Sequence, residues 1–456
     1  MLIDWLLEIF QKNHTQTAVI WKGQEVSYAW LLTAVRHWKN RLETAGIGCG
    51  EVIAVEGDFS PHAVALLFAL IERRCIVVPL TSSVETKKPE FREIAQVQTR
   101  IVLDESDEAI IERIERQVDH ALLNELRGSG RPGLIVFSSG STGKSKAALH
   151  DFTKLLDKFR VPRRAKRMLS FLLFDHLGGI NTILYILSNG GTIVTLPSRN
   201  PEEVCRIIET HRVQVLPTSP TFIKLLLLSE AYTRHDLSSL ELVTYGTEPM
   251  SESTLKRFHE LFPQIELQQT YGLSELGVLR SKSKASDSLW VKIGGEGFET
   301  RVVNGLLEIK AHTAMLGYLN APSPFTSDGW LMTGDAVEVD GDYMLIKGRA
   351  SEMINVGGEK VYPAEIEDVL MQMPNVRDVV ISGEPNPITG QIVAARFQLT
   401  TPEELSALRQ RVREFCRNRL PSYKTPVRIA ITGEEQYSSR YKKIRPGNQA
   451  AAPREA

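Results

Sequence analysis

Leu134-Ile-Val-Phe-Ser-Ser-Gly-Ser-Thr-Gly-Lys-Ser-Lys146 runs from an apolar strand straight into a loop of glycines and hydroxyls. Glycine lets the backbone bend until several N–H groups converge on one anion, while Ser and Thr add donors and an oxygen for a hard cation. By composition the segment is a phosphate cradle. Gly143-Lys-Ser145 invites a Walker A reading, but that motif needs glycine five positions before Gly143, and Ser138 stands there. Gly128-Ser-Gly-Arg-Pro-Gly133 fits G-x-G-x-x-G yet precedes its strand, the wrong order for a dinucleotide fold. Gly272-Leu-Ser-Glu-Leu-Gly277 is one residue too long for a nucleophile elbow.

Around this loop, short Val- and Ile-rich runs alternate with helical periods. Val52-Ile-Ala-Val, Ile76-Val-Val-Pro-Leu, Arg100-Ile-Val-Leu, Thr192-Ile-Val-Thr-Leu and Val213-Gln-Val-Leu-Pro are separated by stretches such as Pro61–Arg73 and Pro201–His211. The alternation predicts an α/β fold: a large N-terminal domain, 1–348, of layered, largely parallel sheets with helices. Shorter strands and turns from about 294 to 348 predict a small β-rich subdomain. A small, mobile α+β C-terminal domain is expected over 349–446, with a helix Pro363–Met371, strands Val376–Ser382 and Ile392–Leu399, and an amphipathic helix Glu403–Leu420. Residues 447–456 read as a frayed tail.

With 456 residues, 54 Lys+Arg and 55 Asp+Glu, the chain has no global field to draw it onto nucleic acid or an anionic membrane. The N-terminus carries Asp4 and Glu8 and reads as an amphipathic helix instead of a signal peptide, and the longest apolar run, Ala63–Ile71, is too short to span a bilayer. Cys49, Cys75, Cys205 and Cys416 stand singly, which predicts buried thiols in a reducing cytoplasm with no disulfide framework or zinc site. Residues 409–445 hold eleven Lys/Arg against three Asp/Glu, either a solvated basic face or an element that meets phosphates.

The loop does not stand alone. Tyr271-Gly-Leu-Ser-Glu275, Thr333-Gly-Asp335, Gly348-Arg349 and Asn355-Val-Gly-Gly-Glu-Lys-Val-Tyr-Pro363 follow it in order. Together these motifs resemble those of the adenylate-forming superfamily, which includes acyl-CoA synthetases, nonribosomal-peptide adenylation domains and luciferases. The resemblance implies attack of a carboxylate on the α-phosphate of ATP, with loss of pyrophosphate, giving an acyl-adenylate. Such chemistry depends chiefly on positioning and charge neutralisation.

By that resemblance Ser138, Ser139, Gly140, Ser141, Thr142, Gly143 and Lys146 would hold the phosphates, with Thr142 and Glu275 at Mg²⁺. Tyr271 would face adenine, Gly246-Thr247-Glu248 would line the other side of the base, and Thr270, Gly272 and Ser274 would complete that segment. Asp335 would take the ribose hydroxyls, with Arg349 beside it. The superfamily's catalytic lysine lies in a Gly-Lys-Ile-x-Arg pattern; here the text is Ser438-Ser-Arg-Tyr-Lys-Lys-Ile-Arg445, whose Lys-x-x-Arg spacing selects Lys442 over Lys443 and puts Tyr441 in the glycine's place. Ser351 replaces the usual Asp or Lys at the hinge.

Phe174-Asp-His-Leu-Gly-Gly179 aligns with the acid-binding segment and nominates Asp175, His176 and Gly272. Asp175 in the pocket would suit an amino acid's ammonium. His176-Leu177 and Tyr-Gly-Leu-Ser-Glu favour an aryl or fatty carboxylate instead. Gly357 and Gly358 would give room to a pantetheine arm, of CoA first and of an acyl carrier protein second. The expected reaction is that of an AMP-forming acid–thiol ligase using ATP, Mg²⁺ and CoA. A stand-alone carrier-loading enzyme and a non-catalytic nucleotide-binding homologue are the alternatives, with neither a nucleic-acid partner nor a membrane span expected.

Overall fold

The computed structural model describes residues 2–139, 145–438 and 441–445. Two seven-stranded sheets build the large domain. In the first, the order is Glu266–Gln269, Leu242–Tyr245, Val215–Thr218, Arg167–Leu169, Thr192–Val194, Thr17–Trp21 and Gln24–Ser27, with all neighbours parallel except the final hairpin. In the second, Gly133–Ser139, Ile76–Leu80, Val52–Glu56 and Thr99–Leu103 form a parallel core, with Ala109–Arg113 antiparallel at one edge and Ser145–Asp151 then Gly317–Tyr318 antiparallel at the other. The expected parallel layers are present.

The helix Pro61–Glu72 shows why the strands stack this way. Ser60 caps it by accepting from the Ala63 N–H, Pro61 occupies the first turn where no N–H is needed, and every residue from Ala63 to Ile71 is buried. An all-round apolar helix is stable only when enclosed. It shares one apolar core with Phe10 of the N-terminal helix Asp4–Lys12, with Val19 and Ile193 of the first sheet and with Val55 and Val77 of the second. No helix among the described residues is long and apolar enough to cross a membrane.

The β-rich unit is a six-stranded antiparallel sheet ordered Ser281–Ser283, Trp290–Ile293, Tyr343–Arg349, Leu331–Asp340, Leu306–Ala311 and Phe298–Val303. It therefore begins before the expected residue 294. Its first strand, Ser-Lys-Ser, carries no apolar alternation to announce it. Beyond Arg349, the strands Ile354–Val356, Glu359–Val361, Val376–Asn386, Gly390–Leu399 and Arg428–Ile431 form one sheet. Helices Pro363–Met371 and Leu405–Cys416 pack on it through Ile366, Leu370, Leu408, Val412 and Cys416. The second helix is shorter than the expected Glu403–Leu420. Cys75, Cys205 and Cys416 are buried thiols as anticipated, whereas Cys49 is exposed.

Candidate active site

The phosphate-loop segment is strand–loop–strand. Gly133–Ser139 pairs antiparallel with Ser145–Asp151, placing Ser138 opposite Lys146 and Ser139 opposite Ser145. A helix following the loop, which a Walker A site requires, is not what comes next. The assigned Gly140, Ser141, Thr142 and Gly143 lie outside the described residues. Lys146 sits with Nζ 5.2 Å from the centre of the Tyr318 ring, and the Tyr318 hydroxyl donates to Glu275 Oε1. The loop's exit strand and the assigned metal carboxylate thus share one tyrosine.

Glu275 is held by more than its side chain. Three successive carbonyls around it are each fixed from a different part of the chain: Ser274 O by the fully buried His150 Nε2 at 2.7 Å, Glu275 O by the Met315 N–H at 2.8 Å, and Leu276 O by Thr313 Oγ1 at 2.6 Å. Burial pushes the His150 imidazole below its ordinary value, so the ring is neutral near pH 7 and donates through Nε2. Gly272 lies in the two-residue strand Gly272–Leu273 against Gly277–Val278. A carboxylate oxygen such as those of Glu275 suits a hard cation like magnesium, which is commonly held by one or two carboxylates plus substrate phosphates.

Asp335 is 5% exposed and lies in register with Arg349 on the neighbouring strand. Arg349 Nε reaches Asp335 Oδ1 at 2.8 Å, the Tyr271 hydroxyl donates to Oδ2, and the Asp335 N–H is closed by Thr333 Oγ1 at 3.0 Å. Burial raises the Asp335 carboxyl against the pull of Arg349, and burial together with Asp335 lifts the Tyr271 phenol well above its ordinary value. The three assigned nucleotide residues Tyr271, Asp335 and Arg349 are one cluster.

At the end of Leu242–Tyr245, Gly246 is required sterically. A Cβ there would stand 2.5 Å from the Thr270 carbonyl and 2.7 Å from its hydroxyl. Thr270 in turn donates from N–H and Oγ1 to Tyr245 O at 2.7 and 3.1 Å. Thr247 has φ +75°, a strained value for a β-branched residue. That kink turns Glu248 toward the helix Pro220–Ser229. Its Oε1 accepts from the Thr221 N–H at 2.8 Å and its Oε2 from the Lys443 N–H at 3.1 Å. The carboxylate expected beside the base therefore joins the large domain to the lysine segment.

Tyr437 and Lys443 form an antiparallel bridge, and the Ser438 N–H donates to Lys442 O at 2.8 Å. Lys443 Nζ turns into the small domain, 3.0 Å from Glu367 Oε2, 2.9 Å from Val379 O and 3.6 Å from Asp378 Oδ1. Burial opposes ionisation of Glu367, yet Lys443 and Arg445 hold its carboxyl down at about 2. From the large domain, Lys224 pairs with Asp378, and burial beside Lys443 brings its ammonium down to about 8. Ser351 is exposed in the short helical turn Ala350–Glu352, joining the last strand of the β-rich sheet to the small domain.

Gly357 and Gly358, at φ +63° and +94°, make the turn between Ile354–Val356 and Glu359–Val361. A Cβ built at either position meets open space, so in this structure it is the positive φ that asks for glycine there. Asp175 is buried and accepts from Thr81 Oγ1 at 2.9 Å; Thr81 also meets Ser83 at 2.8 Å. His176 caps the helix Leu177–Leu187, its Nδ1 accepting from the Gly178 N–H at 3.1 Å. Beside them a cavity of about 1080 Å³ opens at the carboxyl ends of the parallel strands, lined by Phe59, Ser170, Leu173, Phe174, Leu196 and Tyr441 among others.

Sequence reasoning missed Tyr318, Thr313, His150, Lys224, Glu367 and Asp378. Each acts through a contact made by folding. His150 is the one with a local signal: an imidazole directly after the buried apolar run Ala147-Ala148-Leu149 of the strand Ser145–Asp151.

The two-sheet large domain, the Tyr271–Asp335–Arg349 cluster and the lysine segment docked from a second domain agree with the acid-activating class that the motifs resemble. The chain belongs to the AMP-binding enzyme family, whose model matches residues 7–295, while that of the AMP-binding enzyme C-terminal domain matches residues 365–440. It is 26% identical to an indoleacetate–CoA ligase of Aromatoleum aromaticum, over 95% of this chain and 94% of the relative. It is 24% identical to the long-chain-fatty-acid–CoA ligase FadD13 of Mycobacterium tuberculosis, over 89% and 88%. The crystal structure of the anthranilate CoA ligase AuaEII with anthranoyl-AMP superposes with a TM-score of 0.80 at 20% identity, covering 96% of this chain and 95% of that one.

Proposed function

We propose that this chain is an AMP-forming acid–CoA ligase acting on a small aryl or fatty carboxylic acid. The observation that carries the reading is the docking of the lysine hairpin onto the nucleotide side of the large domain, through Glu248 to the Lys443 N–H and Ser219 Oγ to Tyr441 O at 2.7 Å. Lys443 is committed to Glu367 and Asp378. With Lys443 turned into the small domain, its neighbour Lys442 is the lysine we assign to the position between acid and α-phosphate.

In the first half-reaction a carboxylate oxygen attacks the α-phosphorus of ATP, the bond to the β-phosphate oxygen breaks, and pyrophosphate leaves. Lys442 neutralises charge that accumulates on the α-phosphoryl oxygens and the attacking carboxylate. Asp335 receives the ribose hydroxyls as a fixed acceptor, exchanging part of its pairing with Tyr271 and Arg349, and Tyr271 keeps its ring for the adenine. Mg²⁺, held by Glu275 and Thr142, would supply charge neutralisation at the triphosphate. In the second half-reaction the CoA thiol loses its proton and attacks the acyl carbonyl, and AMP departs. A carrier-protein pantetheine has the same thiol arm and is the second acceptor. The cytoplasm, which holds both ATP and CoA, is the compartment this reading favours.

Incubation with ATP, Mg²⁺, CoA and a panel of aryl and fatty acids, followed by mass spectrometry, tests this. The expected products are an acyl-CoA and AMP in equal amounts. AMP without thioester, from every acid and from both CoA and a pantetheinylated carrier, would contradict the ligase reading.

A further inference from the structure

Tyr441 is bulky, yet its φ is +52°, in the left-handed region that favours glycine. Such a conformation persists where the surroundings over-determine it. Here the ring lies 5.6 Å from Phe171 and 5.6 Å from Phe222, and stacks on Tyr437 at 5.8 Å with the planes 11° apart. Its hydroxyl donates to Arg199 O at 2.6 Å and its carbonyl accepts from Ser219 Oγ at 2.7 Å. A residue of the hairpin is thus anchored by three separate parts of the large domain.

The same ring borders the 1080 Å³ cavity. The large domain supplies apolar wall from Phe59, Leu173, Phe174, Leu196 and Leu228, and the hairpin adds Tyr437 and Tyr441. The lining is as polar as it is apolar, with Asp58, Arg199, Arg377 and Glu435 beside the rings, so the volume exceeds what a short acid fills and suits a bulky body that carries polar substituents.

We propose that Tyr441 is a specificity-determining residue, a wall of the acid cavity supplied by the small domain, so that the acid is measured only when the lysine hairpin is docked. The inference rests on the acid-activating reading above. Because the wall arrives with the hairpin that carries Lys442, an acid too long for the cavity blocks the docking that its own activation needs. Such an acid is rejected in rate as well as in binding. Replacing the ring by glycine opens the cavity toward Phe171 and Phe222 and relieves the strained backbone together.

The test is acid-dependent exchange of labelled pyrophosphate into ATP, over straight-chain and aryl acids of graded size, for the wild type, Tyr441→Phe and Tyr441→Gly. Tyr441→Phe keeps the ring and retains the wild-type profile. Tyr441→Gly raises kcat/KM for the bulkiest acids relative to the smallest by about tenfold or more, the scale on which a few methylenes discriminate in an apolar pocket. If the glycine variant turns over too slowly, calorimetry with acyl-sulfamoyl-adenosine analogues of the same acids reads the same ratio. An unchanged profile in that variant, or a change confined to the KM for CoA, would overturn the inference alone. No exchange by the wild type with any acid would remove the functional reading and this inference with it.

Discussion

At the scale of single residues, Lys443 is the centre of a buried ion cluster in the small domain. Lys443 Nζ is buried among Glu367, Asp378 and a main-chain carbonyl, and these acids hold its ammonium above the ordinary value against the cost of burial. Lys443→Ala leaves the Glu367 carboxylate with Arg445 and the Ile381 N–H. Breaking a buried pair from one side costs about 3–5 kcal/mol, and a lower midpoint for the small domain in urea melts is expected. Glu367 makes the same cluster acid-sensitive: its carboxyl lies at about 2 in the fold against an ordinary 4.5. A depressed carboxyl contributes stability that is fully present above 4.5 and is lost as the pH falls toward 2. Near-ultraviolet circular dichroism should show tertiary structure weakening through that window, and Glu367→Gln should flatten the dependence there.

At the scale of elements, the short segment Ser274–Leu276 is the one whose geometry is most heavily constrained, by His150, Met315 and Thr313. Thr313→Val keeps the volume and removes one hydrogen bond to a carbonyl, a stability loss of about 1–3 kcal/mol. If the bond positions Glu275, the KM for MgATP rises several-fold while Thr313→Ser restores it; equal losses in both variants would point to folding alone. Much at this scale was readable from sequence. The Val- and Ile-rich runs became the parallel strands, Ser60-Pro61 opened the buried helix, and the failed Walker A spacing agreed with a strand following the loop. The rest depended on tertiary partners. Ser281–Ser283 joins a sheet without any apolar alternation of its own, and nothing near Tyr318 announces that its hydroxyl will meet Glu275, 43 positions away.

At the scale of the whole molecule, the small domain rests on the large one through polar contacts as well as the Tyr441 ring. Lys224 pairs with Asp378, Ser253 Oγ donates to Asp368 Oδ1 at 2.7 Å, and Glu248 receives the Lys443 N–H. Lys224 lies on the helix Pro220–Ser229 and Asp378 on the strand Val376–Asn386, so their ion pair exists only while the domains are docked this way. Lys224→Met should slow adenylation by about tenfold, equivalent to about 1.4 kcal/mol of docking. Thioester formation from a supplied acyl-adenylate should change little; an equal slowing of both half-reactions would place Lys224 outside the docking equilibrium. The spacing of the C-terminal motif nominates Lys442; the burial of Lys443 Nζ against Glu367 and Asp378 depends on a partner helix and strand that no local spacing announces.

The central claim is that a lysine hairpin from the small domain completes an adenylate-forming site. Carboxylate-dependent exchange of labelled pyrophosphate into ATP, compared between wild type and Lys442→Ala, tests it most directly. The account predicts exchange in the wild type with at least one aryl or fatty acid, and loss of about 100-fold or more in the variant, as expected when a group that stabilises developing charge is removed. Undiminished exchange in Lys442→Ala would contradict it.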